Sequence, residues 1–184
     1  MFEIQEVVSL NEELNSSLNK NQIALLKWIY LGLGINECRE KFGDSGYLFS
    51  NMIAKYISSS SEYNISKKAL QKIIEKGIDL EKVYKRSYFS KLPEFYYEHP
   101  IPVSIIREKL LLNNFDISQI ANILSLSGPL VIILKEENNL LDKAKLKSKM
   151  PKEWKFGDNT FARYKKLGIE ISNKKIKVSG SIIR

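Results

Sequence analysis

The run Leu130-Val131-Ile132-Ile133-Leu134 leaves this chain few choices. It is five apolar residues long, three of them β-branched, with Gly128-Pro129 in front and Lys135-Glu136-Glu137 behind. A run this short has no polar face to give to water, and it is too brief for a buried helix. It predicts a buried strand between a turn and the start of a helix.

Most of the chain ahead of that strand reads as helical. Between Asn21 and Leu33 the apolar residues Ile23, Leu25, Leu26, Trp28, Ile29, Leu31 and Leu33 make a largely buried helix, with Gly32 and Gly34 where it should end. Trp28, Tyr30 and Phe49 read as core. Leu48, Phe49, Met52, Ile53, Tyr56 and Ile57 recur at helical spacing over 47–57. The serines at 58–61 read as a loop. Ser66 is placed to cap a helix over 67–76, and Asp79 to cap a short one through Arg86.

Near Ser90 the character changes. Phe95-Tyr96-Tyr97 sits in a strand candidate over 92–97, which Pro100 and Pro102 end. Pro102 suits the first turn of a helix over 103–112. Asp116-Ile117-Ser118-Gln119 has the form of a capping box, opening a helix to about Leu124. Beyond the apolar strand a helix is expected over 135–146 and a short basic helix over 161–167. A hairpin pairing 169–171 with 175–183 is expected across Asn173. The fold class predicted is α+β and mostly helical. Residues 1–89 form a helical scaffold for dimerisation or DNA clamping, and 90–184 carry the chemistry, the two packing as one compact unit.

Charge divides along the same line. The chain has 184 residues and a net charge of +8. Residues 1–84 hold 10 Lys/Arg against 11 Asp/Glu, while 85–184 hold 19 against 10. Between Lys143 and Lys177 there are 12 basic and 3 acidic residues. A basic half beside a neutral half fits a polyanion partner on one face; a lysine-rich solvated surface would give the same count. The single cysteine, Cys38, allows no intrachain disulfide and no CxxC zinc pair, so no structural zinc is expected. No apolar stretch has membrane-spanning or signal-peptide length, and a cytoplasmic protein is expected.

The only histidine stands in Tyr97-Glu98-His99-Pro100-Ile101-Pro102. Histidine alone changes its charge near neutral pH without help from its surroundings, which makes His99 the natural candidate for a general base. A packed ring bonding a backbone carbonyl is the simpler account of a lone histidine in a proline-rich turn. Glu98 can be a solvent-facing acid at a strand end, and Asn138 and Asn139 the solvated first turn of a helix.

Glu98-His99-x-x-Pro102, followed by an apolar strand and then a helix opening Lys135-Glu136-Glu137-Asn138-Asn139, resembles the ββα-metal finger of the HNH, or His-Me, endonucleases. The resemblance covers about residues 92–146. It implies that Glu98 is an acidic metal ligand, that His99 is the base that deprotonates the attacking water, and that Asn138 or Asn139 is the ligand from the helix. It also implies Mg²⁺ or another divalent cation such as Mn²⁺, DNA as partner, and, for a restriction-type enzyme, a homodimer. An oxygen-rich site suits Mg²⁺, which keeps several of its waters and needs few protein ligands.

Lys147, Lys149, Lys152 and Lys155, with Arg163, Lys165 and Lys166, are the candidates for nucleic-acid contact. Lysines would meet phosphates, and Arg163 would make a bidentate contact to a phosphate or a guanine edge. Trp154 and Phe161 among them read as core anchors. Two other functions use the same residues: a non-catalytic nucleic-acid-binding protein such as a regulator or phage inhibitor, and a metal-independent RNase toxin built on His99.

Overall fold

A computed structural model describes residues 18–44, 46–112 and 115–179. It is an α+β fold. Among the described residues it has eight α-helices: α1 (Lys20–Gly34), α2 (Asn36–Asp44), α3 (Tyr47–Ser58), α4 (Lys67–Glu75), α5 (Val103–Leu111), α6 (Ile117–Leu126), α7 (Lys135–Lys143) and α8 (Ala162–Lys166). The strands are β1 (Glu62–Ser66), β2 (Tyr84–Lys85), β3 (Phe95–Glu98), β4 (Val131–Leu134) and β5 (Ile171–Ser179). None of the described helices is long and apolar enough to cross a membrane.

The strands form one sheet in the order β2-β5-β1-β4-β3. The apolar run is its β4, parallel to β1 and antiparallel to β3. β1 and β2, from before residue 90, pair with β4 and β5 from after it, so the sheet interlaces the two halves of the chain.

Side chains alternate across a strand, and β4 shows the result. Ile132 joins a large core with α1, α3, α5 and α6, whereas Val131 and Ile133 join a smaller one with Leu141, Leu146, Tyr164 and Ile169. Tyr63 and Ile65 of β1 and Phe95 of β3 also face the large core. The register puts Asn64, Val131 and Glu98 in one cross-strand row, all on the small-core face.

Local capping follows the sequence closely. Asp116 and Gln119 make the expected capping box of α6. Asn19 and Gln22 make one at α1, and Ser66 accepts from the backbone N–H of Ala69 to start α4. Four expectations are corrected. Trp28, read as core, is 66% exposed. There is no hairpin across Asn173, because β5 runs unbroken through that residue and pairs with β1 and β2; its continuation beyond Ser179 lies outside the described residues. The helix expected after Asp79 is a turn leading into β2. And residues 62–66, which carry Glu62, Asn64 and Ser66 among their apolar neighbours, form the central strand β1.

Candidate functional site

β3 ends at Glu98, which lies opposite Val131 at the start of β4. His99 follows where the ladder stops. α7 starts directly after β4 and packs against both β3 and β4. The short helix α8 brings Arg163 and Tyr164 under the same face, with Gly168 (φ 69°) closing the turn after it.

Arg163 organises the site. Its side chain is wholly buried. Nη2 meets Glu98 Oε1 at 2.6 Å and also donates to the carbonyl of His99. Nε donates to the carbonyl of Pro100 at 3.0 Å, and Nη1 to those of Leu146 and Lys147 at 2.8 and 2.9 Å. One guanidinium therefore ties the end of β3 to the segment after α7. Its planar fork suits this task, since each N–H has a fixed direction. Burial raises the Glu98 carboxyl above the usual carboxylate range, and the neighbouring Arg163 offsets part of that rise.

The His99 ring is half-buried, and its Nε2 is enclosed without a hydrogen-bond partner among the described residues. Burial first, and then the charge of Arg163, lower its pKa to about 4. The imidazole is thus neutral at pH 7. The carbonyl-bonded packed ring, the simpler account of this histidine, does not describe Nε2.

The helix candidates separate. Asn138 is buried and its Oδ1 has no partner among the described residues, whereas Asn139 is exposed. Glu137, which sequence reasoning left without a role, is almost completely buried. Its Oε2 accepts from Ser66 Oγ at 2.6 Å and from the backbone N–H of Leu134 at 2.9 Å. That carboxylate pins the start of α7 to the end of β1, and so sets which way Asn138 faces. Its signal in the sequence was its place three residues into a helix that opens with acids, where a carboxylate can reach back to the first free N–H.

Lys147, Lys149, Lys152, Lys155, Lys165 and Lys166 are all exposed. Arg163 is the correction in this set: with no exposure and its donors directed at Glu98 and backbone carbonyls, it offers nothing to a nucleic acid at the surface.

As a metal centre the site is sparse. Among the described residues no group of three or more His, Cys, Asp and Glu side chains is placed to hold an ion. The donors at hand suit a hard divalent cation in type: the Glu98 carboxylate and the buried, unpartnered amide oxygen of Asn138. Arg163 competes for Glu98 with any such ion. A comparison with protein-family models finds no match for this chain, and comparisons with curated proteins and with solved structures find none either.

Proposed function

We propose that this protein is a divalent-metal-dependent endonuclease of the His-Me type, hydrolysing phosphodiester bonds in DNA. The observation that carries the proposal is His99. Its ring follows an acid at a strand end, it is neutral at pH 7, and its Nε2 is enclosed with nothing among the described residues bonded to it. A general base needs a free lone pair beside the place the attacking water will occupy. The antiparallel pair β3–β4 with α7 packed on both supports this reading, although α5 and α6 stand between the two strands in the chain.

In this proposal Glu98 and Asn138 hold the cation, which is Mg²⁺ or Mn²⁺; it would stabilise negative charge developing on the phosphate and the leaving oxygen. His99 takes the proton of the attacking water at Nε2. Arg163 fixes the backbone at His99 and Pro100 and so holds the ring in place. The exposed lysines at 147–155 and at 165–166 meet backbone phosphates without regard to sequence. Cutting both strands of a duplex would take two copies, one site for each strand.

The Arg163–Glu98 pair favours a second reading. A buried arginine already sitting on the acid is what a structural clamp requires, and a clamp suits a protein that binds nucleic acid without cutting it. Incubation of the purified protein with plasmid DNA, with Mg²⁺, with Mn²⁺ and with EDTA, beside His99→Ala, decides between them. Metal-dependent nicking that the variant loses supports the nuclease. Binding without cleavage in any metal leaves only the second reading, and cleavage of RNA in EDTA would replace both with a metal-independent RNase.

A further inference from the structure

A cavity of about 510 Å³ lies on the other side of the sheet, where α1 and α3 meet β1, β3 and the segment after β2. It is well within the range of small-molecule sites. Leu25, Leu130 and the rings of Tyr63 and Tyr97 give it an apolar wall, and Lys55 and Arg86 give it two cations. Among the described residues no carboxylate lines it. In the neighbouring grooves carboxylates accompany the cations: Glu170 beside Lys67, Glu136 and Glu94 beside Lys68 and Lys72, Asp116 beside Arg39.

The wall is held in place from behind. Tyr63 Oη donates to the carbonyl of Ser58 at 2.7 Å and Tyr97 Oη to that of Arg86 at 2.5 Å. With both hydroxyls tied to the backbone and Tyr63 buried, what the wall leaves for a ligand is the partly exposed ring of Tyr97, braced edge to face by Tyr63 with centroids 5.5 Å apart. Arg86 is fixed as well, through Nη2 to the carbonyls of Ser59 and Ser60 at 2.6 and 3.3 Å, while its Nε is buried without a partner among the described residues. A cation that is preorganised loses little freedom on binding an anion.

We propose that this cavity binds a small phosphate ester with a flat, apolar body, of the size of a nucleoside monophosphate. The phosphate lies between Arg86 and Lys55, and the flat body lies against Tyr97 and Leu25. This gives the helical half of the chain a binding role, and it stands apart from the nuclease proposal.

The test is calorimetric titration of the full chain in EDTA with AMP, adenosine and inorganic phosphate. AMP is expected to bind at least about tenfold tighter than either fragment, since each half of the cavity then contributes. Lys55→Ala removes one cation from an exposed helix position and should weaken AMP by about tenfold, leaving adenosine unchanged. Ser87→Glu, also exposed, sets an acid at the rim and should weaken AMP further. Arg86 is left intact because it ties down Ser59 and Ser60. No binding of AMP at millimolar concentration would overturn the proposal. So would AMP binding no tighter than adenosine, or AMP affinity unchanged in both variants. Repeating the titration in His99→Ala separates this site from the nuclease proposal: AMP binding there should be unaltered.

Discussion

The two faces of the sheet are stabilised in different ways. On one, Ile132, Tyr63, Ile65 and Phe95 pack into a large core with α1, α3, α5 and α6. On the other, Val131 and Ile133 share a small core with Leu141, Leu146 and Tyr164, and around it lie all the buried charged side chains of the described residues: Glu98, Glu137 and Arg163. The first face is held by burial of apolar area. The second depends on each charge meeting its partner. Burying Arg163 with Glu98 carries a desolvation cost that plain apolar packing would avoid. The polar face is thus where the chain departs from the simplest way of being stable, and its Arg163 is the group that holds the backbone of His99.

The sharpest way to break this comparison is to remove one partner on each face. Arg163→Ala leaves Glu98 buried and unpaired and takes the donor from the carbonyls of Pro100, Leu146 and Lys147. A loss of about 3–5 kcal/mol is expected in urea unfolding. Ile132→Ala, on the apolar face, should cost about 2–5 kcal/mol by cavity formation alone. The two differ in their rescue: adding Glu98→Gln to Arg163→Ala should recover part of the loss, by removing the stranded charge, whereas adding it to Ile132→Ala should recover nothing.

The next effect depends on pH. The folded pKa of His99 lies near 4, below its ordinary value of 6.5. The unfolded chain therefore takes up a proton that the folded one refuses, and His99's contribution is complete above pH 6.5 and lost as pH falls toward 4. Its size is at most about 3 kcal/mol. Glu98, whose pKa is raised, acts in the opposite sense and gains stability as pH falls. The difference in unfolding free energy between the wild type and His99→Ala isolates the histidine. It should shift against the wild type between pH 7 and pH 4, and a flat difference would contradict the burial of the ring.

The smallest effect on folding, and a large one on binding, is expected at the exposed lysines. Changing Lys147, Lys149, Lys152 and Lys155 to Ala should alter stability by no more than about 0.5 kcal/mol at each site. If these side chains meet DNA, the slope of log affinity against log salt should fall by about 0.9 for every phosphate contact removed.

The same division explains what the sequence made legible. Helical spacing and caps disclosed α1, α3, α5 and α6, and the run 130–134 disclosed β4, because each repeats a local rule along the chain. β1 was missed because its alternate residues, Glu62, Asn64 and Ser66, are polar, and two of them are buried on the face that accepts polar groups. β5 was read as a hairpin because Asn173 looks like a turn, although its neighbours complete a strand whose partners are more than 80 residues away in β2 and more than 100 away in β1. At the site, Glu98 and His99 announced themselves by type and adjacency. Arg163 did not: a basic residue in a basic segment is most simply read as surface, and only the return of α8 beneath β3 gives it Glu98 as a partner.

Because the chain has one histidine, a single imidazole signal reports on the heart of this account. An NMR titration of that ring in EDTA, from pH 3.5 to pH 8, should give a midpoint near 4 and a neutral ring at pH 7. A midpoint at or above 6.5 would mean an exposed or acid-paired ring, and would contradict the enclosed, neutral imidazole described for His99.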